Sequence, residues 1–266
     1  SGRRFAAAIF LPLNMMIIIF DLYLTSELKG ITMKLQDSVV FITGANRGLG
    51  LEFARQALAG GARKVYAAAR DPSQVTLPGV IPIALDVNNP SQVAAAAADC
   101  GDVTLVINNA GIASLKGLLD EDSIAVTQRM LDTNLYGVMR VSQAFAPVLA
   151  KNSGGAMVNV LSVSSWMSAP VLAAYSISKA AAWSLTNGLR NELREQQTQV
   201  LGLHVGFIDT DMTHGFEAPK MTPEFVVART FEALDAGASE VAVGDMAQEL
   251  KRGLSDEPGV YIDYPR

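Results

Sequence analysis

The chain has 266 residues, half of them apolar and 18% charged, which is enough to fill one large core, and we read one main domain rather than two. A net charge of −5 without a long basic run excludes nucleic acid as the main partner and points to a small molecule. The single cysteine, Cys100, rules out an intrachain disulfide and suits a reducing compartment; with His204 and His214 as the only imidazoles and no Cys/His/Asp cluster at ligand spacing, no metal site is expected.

In chain order, residues 1–32 form an apolar extension. Arg3 and Arg4 precede an apolar run over residues 5–20, interrupted by Pro12 and Asn14 and closed by Asp21, slightly short for a spanning helix. Three readings stay open: a signal anchor, a membrane-associating hairpin, or translated sequence upstream of a start at Met33. We favour the third. The expectation is a folded domain over residues 33–266 that is cytoplasmic, with membrane association only if the apolar run is genuine.

From Ser38 onward, short β-branched runs alternate with longer segments of helical period. The strands expected are 39–43, 64–69, 81–85, 105–108, 156–161, 199–204 and 240–243, with helices starting near Gly48, Ser91, Ser123, Ala173 and Thr222. This pattern predicts an α/β fold: a single Rossmann-type doubly wound domain with a seven-stranded parallel sheet covered on both faces. In such sheets a ligand binds beyond the carboxyl ends of the strands, where the informative motifs fall.

The first strand runs into Thr43-Gly-Ala-Asn-Arg-Gly-Leu-Gly50 and a helix. Gly44 permits the tight turn, and Gly48 and Gly50, with Asn46, Arg47 and Leu49 between and around them, let backbone amides approach a pyrophosphate. The second strand ends in Ala69-Arg70-Asp71, where an acid would otherwise bind the adenosine ribose and repel a 2′-phosphate. With Arg70 there, Arg47 in reach and Asp71 orienting the guanidinium, the expected cofactor is NADP(H). Asp86 and Val87 after the third strand could meet the adenine, while Asn108-Asn-Ala110-Gly111 closes the fourth strand with small residues that admit a ribose; both are also ordinary turn sequences.

Tyr175 and Lys179 stand one helical turn apart, so both can face one cleft. Lowering a phenol from ~10 to ~7 requires roughly 4 kcal/mol, which a cation about 4 Å away at an effective dielectric of about 20 supplies. Taken alone, the pair also fits an exposed tyrosine and a solvated lysine on an ordinary helix.

The glycine loop, Asp86-Val87, Asn108-Asn-Ala110-Gly111, Asn134, Ser162 and Tyr175-x-x-x-Lys179 together resemble the short-chain dehydrogenase/reductase family, over essentially everything after Met33. The T-G-x-x-x-G-x-G form and the serine 13 positions before the tyrosine are similar to its compact oxidoreductase branch. The resemblance implies that Tyr175 is the general acid or base, that Lys179 lowers its pKa and binds the nicotinamide ribose, and that Ser162 binds the substrate oxygen. Asn134 would hold a water leading to the lysine, and Ile208 and Thr210 would hold the carboxamide. Val205 replaces the proline usual at the turn before Gly206. His204 reads as a packed strand residue.

The family's substrate lid falls on residues 212–221, which are few here. Trp166, Met167 and Phe216 are the expected apolar lining, with His214 and Lys220 as polar handles, and suit a small to medium aldehyde or ketone. The family also implies a homodimer or homotetramer built through the helices at 134–150 and 173–195. Two alternatives are a membrane-tethered steroid or lipid reductase and a non-catalytic NADP-sensing regulator.

Overall fold

In the computed structural model the described residues are 32–262, so the apolar run at residues 5–20 lies outside them. The strands are β1 (Val39–Thr43), β2 (Lys64–Ala69), β3 (Ile81–Ala84), β4 (Leu105–Asn108), β5 (Gly155–Val160), β6 (Thr198–Val205) and β7 (Glu240–Val243). They form one seven-stranded parallel sheet in the order β3-β2-β1-β4-β5-β6-β7. The helices are α1 (Gly48–Ala59), α2 (Pro90–Asp99), α3 (Ser123–Leu131), α4 (Val138–Lys151), α5 (Ala173–Glu192), α6 (Pro223–Asp235) and α7 (Asp245–Arg252). Strand edges fall within a residue of the expected ones, and α5 stops three residues before the expected 195.

The strands read as unbroken apolar runs because both faces are covered. Along β1, Val40 and Ile42 point to one face, where Phe53 of α1 and Phe231 of α6 meet edge to face at 5.5 Å. Val39 and Phe41 point to the other, where Phe41 packs on Phe145 of α4 at 4.4 Å, with Val93 of α2 nearby.

Between α3 and α4 the helix opens into a π-turn over Asp132–Gly137. Gly137 allows this path, since a Cβ there would lie 2.7 Å from the Val87 side chain. The widened turn directs Asn134 inward, where it is 1% exposed. Among the described residues no helix is long and apolar enough to cross a membrane.

Candidate active site

A cleft of about 840 Å³ opens at the carboxyl ends of the strands, where the order reverses between β1 and β4. Its floor is the glycine turn. Gly44 and Gly48 adopt φ of +67° and +53°, and a Cβ on Gly50 would lie 2.1 Å from the Gly44 carbonyl oxygen, so only glycine lets α1 start this close to the strand end. Asn109 holds the turn: its Nδ2 donates to the carbonyls of Thr43 at 2.9 Å and Gly44 at 3.0 Å. Thr43 Oγ1 in return accepts from the amides of Asn109 and Ala110.

These residues fit a dinucleotide phosphate. Arg47, at the N-cap of α1, supplies no side-chain acceptor, and the first turn holds no acid, so the leading amides have only the cleft to face. Gly44, Asn46, Arg47, Gly48, Leu49 and Gly50 all line it. Arg70 is exposed at the same end, beside buried Ala69. Arg47 pairs with Asp211 at 2.8 Å across the cleft mouth, an exposed contact that contributes about 0–1 kcal/mol.

Asp71 departs from the expectation. It accepts from the amide and hydroxyl of Ser73 and from Gln74, capping the short turn Pro72–Gln74, and makes no hydrogen bond to Arg70. Asp86, Val87, Ala110 and Gly111 lie along the cleft, whereas Asn108 does not. Asn108 is the last residue of β4 with its side chain under the sheet, where Nδ2 donates to Asn159 at 2.9 Å; its neighbour Asn109 reaches the cleft instead. The alternation of a strand separates the two asparagines and turns Asn109 rather than Asn108 to the cleft.

At the other end, Ser162 follows β5 and caps the turn Val163–Ser165, its hydroxyl accepting from the Ser164 amide at 3.1 Å. Tyr175 and Lys179 project from α5 into the same cleft. Burial pushes Tyr175 up to about 12, and the hydrogen bond with Ser162 pulls it back only in part. Burial also lowers Lys179 to about 8; its Nζ donates to the Val160 carbonyl at 2.8 Å and stands 5.7 Å from the phenol ring centre. Ser162 therefore supplies a downward pull on the tyrosine.

Asn134 lies outside the cleft lining and spends its amide on protein groups. Oδ1 accepts from the Ile112 amide, and Nδ2 donates to the Ile112 carbonyl and Ser178 Oγ, all at 2.9 Å. It thereby fixes the loop after β4 against α5. Ile208 and Thr210 line the cleft beyond β6, where Thr213 Oγ1 hydrogen-bonds the Ile208 carbonyl.

Two of the three expected substrate residues lie elsewhere. The capped turn after Ser162 sends Trp166 inward, 7% exposed and stacked on His204 at 4.0 Å, and Met167 is half-buried outside the cleft. Phe216 does line it, tilted against Phe207 at 5.2 Å, as does His214; Lys220 does not. Met212, from the expected lid, lines the cleft too, and Leu115 and Leu172, which were not expected there, add to the apolar wall. No periodicity marks such loop residues, so only the folded chain identifies them.

The model of the short-chain dehydrogenase family matches residues 38–220. A short-chain dehydrogenase from Burkholderia cenocepacia J2315, solved in complex with NADP, superposes with a TM-score of 0.82 at 38% identity, covering 85% of this chain and 96% of that one. The oxidoreductase BOA17 of Botryotinia fuckeliana is 36% identical over 232 residues, 83% of this chain and 79% of the relative. The short chain dehydrogenase tazN of Aspergillus terreus is 33% identical over 203 residues, 70% of this chain, which spans only 44% of that protein's length. On fold, glycine turn and sequence alike, the chain belongs to the short-chain dehydrogenase/reductase family of NAD(P)(H)-dependent oxidoreductases.

Proposed function

We propose that the chain is an NADP(H)-dependent reductase of a small to medium apolar aldehyde or ketone, also able to oxidise the corresponding alcohol. The observation that carries this reading is the convergence of Ser162, Tyr175 and Lys179 on the cleft that also receives the glycine turn and Arg70. NADPH, when bound, supplies the hydride. Its pyrophosphate would be held by the α1 amides and its 2′-phosphate by Arg70, where a charge-assisted hydrogen bond of about 1.5–3 kcal/mol gives roughly a ten- to hundredfold preference over NADH. That the B. cenocepacia relative was solved with NADP supports this choice.

Ser162 donates to the substrate oxygen and fixes its distance from the phenol. Tyr175 then passes its proton to that oxygen as negative charge develops. Burial, which keeps the phenol protonated at neutral pH, favours the acid role and hence reduction. Lys179, desolvated beneath the Val160 carbonyl, would anchor ribose hydroxyls. Leu115, Leu172, Met212 and Phe216 give the substrate an apolar wall.

A panel of aldehydes, ketones, quinones and steroids, followed by NADPH absorbance, tests the reading. Turnover confined to large polyol or carrier-linked substrates would overturn the size assignment. The apolar run at residues 5–20 favours a second reading, a membrane-tethered steroid or lipid reductase, against the cytoplasmic one preferred here. Carbonate washing separates them, because release into the supernatant disposes of a spanning anchor. We further propose a homodimer or homotetramer; Ile124, Tyr136, Met139 and Ile177 are exposed on α3, the π-turn, α4 and α5, and light scattering reads the state directly.

A further inference from the structure

Behind the turn that carries Ser162, outside the cleft, His204 sits on β6 with no exposed surface. Its ring stacks on Trp166 with the planes 15° apart and meets Trp183 edge-on at 6.1 Å. Nδ1 lies 3.1 Å from the Ser162 carbonyl oxygen, and Nε2 lies 2.9 Å from Oε1 of Glu240, the first residue of β7. The carbonyl can only accept, as it also does from the Ser165 amide at 2.9 Å, so Nδ1 is the donor. At Nε2 the carboxylate stands within ion-pair distance, but the contact does not have hydrogen-bond geometry.

Glu240 reaches further. Its Oε1 accepts from Trp183 Nε1 at 3.1 Å and its Oε2 from Lys251 of α7. Trp183 stands on α5, one helical turn from Lys179 and two from Tyr175. One carboxylate is thus joined through His204 to the turn bearing the serine, and through Trp183 to the helix bearing the tyrosine and lysine. Burial alone would raise the Glu240 carboxyl, but His204 and Lys251 beside it hold it down at about 2. The other charge beside it is Arg190 of α5, which donates to the adjoining Ser239 carbonyl at 2.8 Å.

We propose that Glu240 and His204 are positioning residues that set Ser162 at its working distance from Tyr175. The proposal rests on the reading of Ser162 and Tyr175 as the reacting pair. The ring braces the serine from behind through its main-chain carbonyl, leaving the hydroxyl free to face the cleft. Trp166 belongs to this brace: it contributes its face to the imidazole, and its Nε1 is buried without a partner.

The chain holds two histidines, so full-length protein labelled with nitrogen-15 in its imidazoles gives two sets of ring signals, assigned with His214→Asn. The His204 Nδ1 is expected to carry a proton that exchanges slowly with water. An unprotonated Nδ1 overturns the proposal whether or not any carbonyl compound is turned over, so the result stands apart from the fate of the proposed activity.

The second arm is kinetic and uses Glu240→Gln. Slackening the brace should lower kcat for reduction roughly tenfold while the NADPH Kd and KM change less than about twofold. In alcohol oxidation, the rise of kcat/KM with pH should move to higher pH, because the Ser162 hydrogen bond is what lowers Tyr175. A folded Glu240→Gln enzyme with kcat and pH profile unmoved would overturn the positioning role.

Discussion

The ammonium of Lys179 donates to the carbonyl of Val160 at 2.8 Å, at the end of β5 and two residues before Ser162. This contact holds a lysine that burial has lowered to about 8. Because the folded-state pKa lies below the ordinary 10.5, the unfolded chain binds more protons between about pH 8 and 10.5, and this residue's contribution to stability rises with pH across that window. At neutral pH the buried charge costs on the order of 3 kcal/mol, offset in part by the Val160 hydrogen bond. Lys179→Met is therefore expected to raise Tm by a few degrees at pH 7, and by less at pH 10, while abolishing turnover. Calorimetry at the two pH values checks it.

Tyr175→Phe removes the proton and little volume. NADPH binding, read by fluorescence titration, should be retained within about twofold, while carbonyl reduction falls by about a thousandfold. Unchanged turnover would assign the proton to another group.

Arg70→Ala should weaken NADPH about ten- to hundredfold and leave NADH turnover in place. The effect should shrink at high salt, since the guanidinium is exposed. Comparing kcat/KM for the two cofactors at low and high ionic strength measures both. A uniform loss with both would place Arg70 outside the 2′-phosphate site.

At neutral pH Glu240 contributes stability where Lys179 costs it, although both contributions rise with pH. Its carboxyl is held at about 2 against an ordinary 4.5, so its contribution to stability is present above about pH 4.5 and lost as pH falls toward 2. Glu240→Gln should flatten the acid limb of a denaturation profile over that window and lower stability at neutral pH by on the order of 1–3 kcal/mol.

The residues that could be read in advance are those under the strictest local constraint. Val39–Thr43 declares itself as a strand because both faces are buried, and Gly44 and Gly50 declare the turn because no side chain fits there. What stayed hidden depends on the direction of a side chain. Trp166 has the bulk and apolar face of a cleft-lining residue, but a capped turn sends it inward. Asn108 and Asn109 are adjacent letters on opposite sides of a pleat, and only pairing of the strand decides which faces the cleft. Asp71 followed the arginine in sequence yet closes its own turn. Glu240 and His204 are 36 residues apart (240 minus 204) and meet through the register of β6 on β7, which pairs His204 with Ala242.

The reversal of strand order between β1 and β4 also has a mechanical side. One wing of the sheet carries β1 to β3, the other β4 to β7, and the cleft draws on both, with Arg70 from the first wing and Tyr175 from the second. A nucleotide lying along that seam would act as a clasp, so its free concentration becomes a dial on resistance to unfolding. At a hundredfold excess over Kd it would add about 2.7 kcal/mol, tying the lifetime of the protein to the supply of that nucleotide.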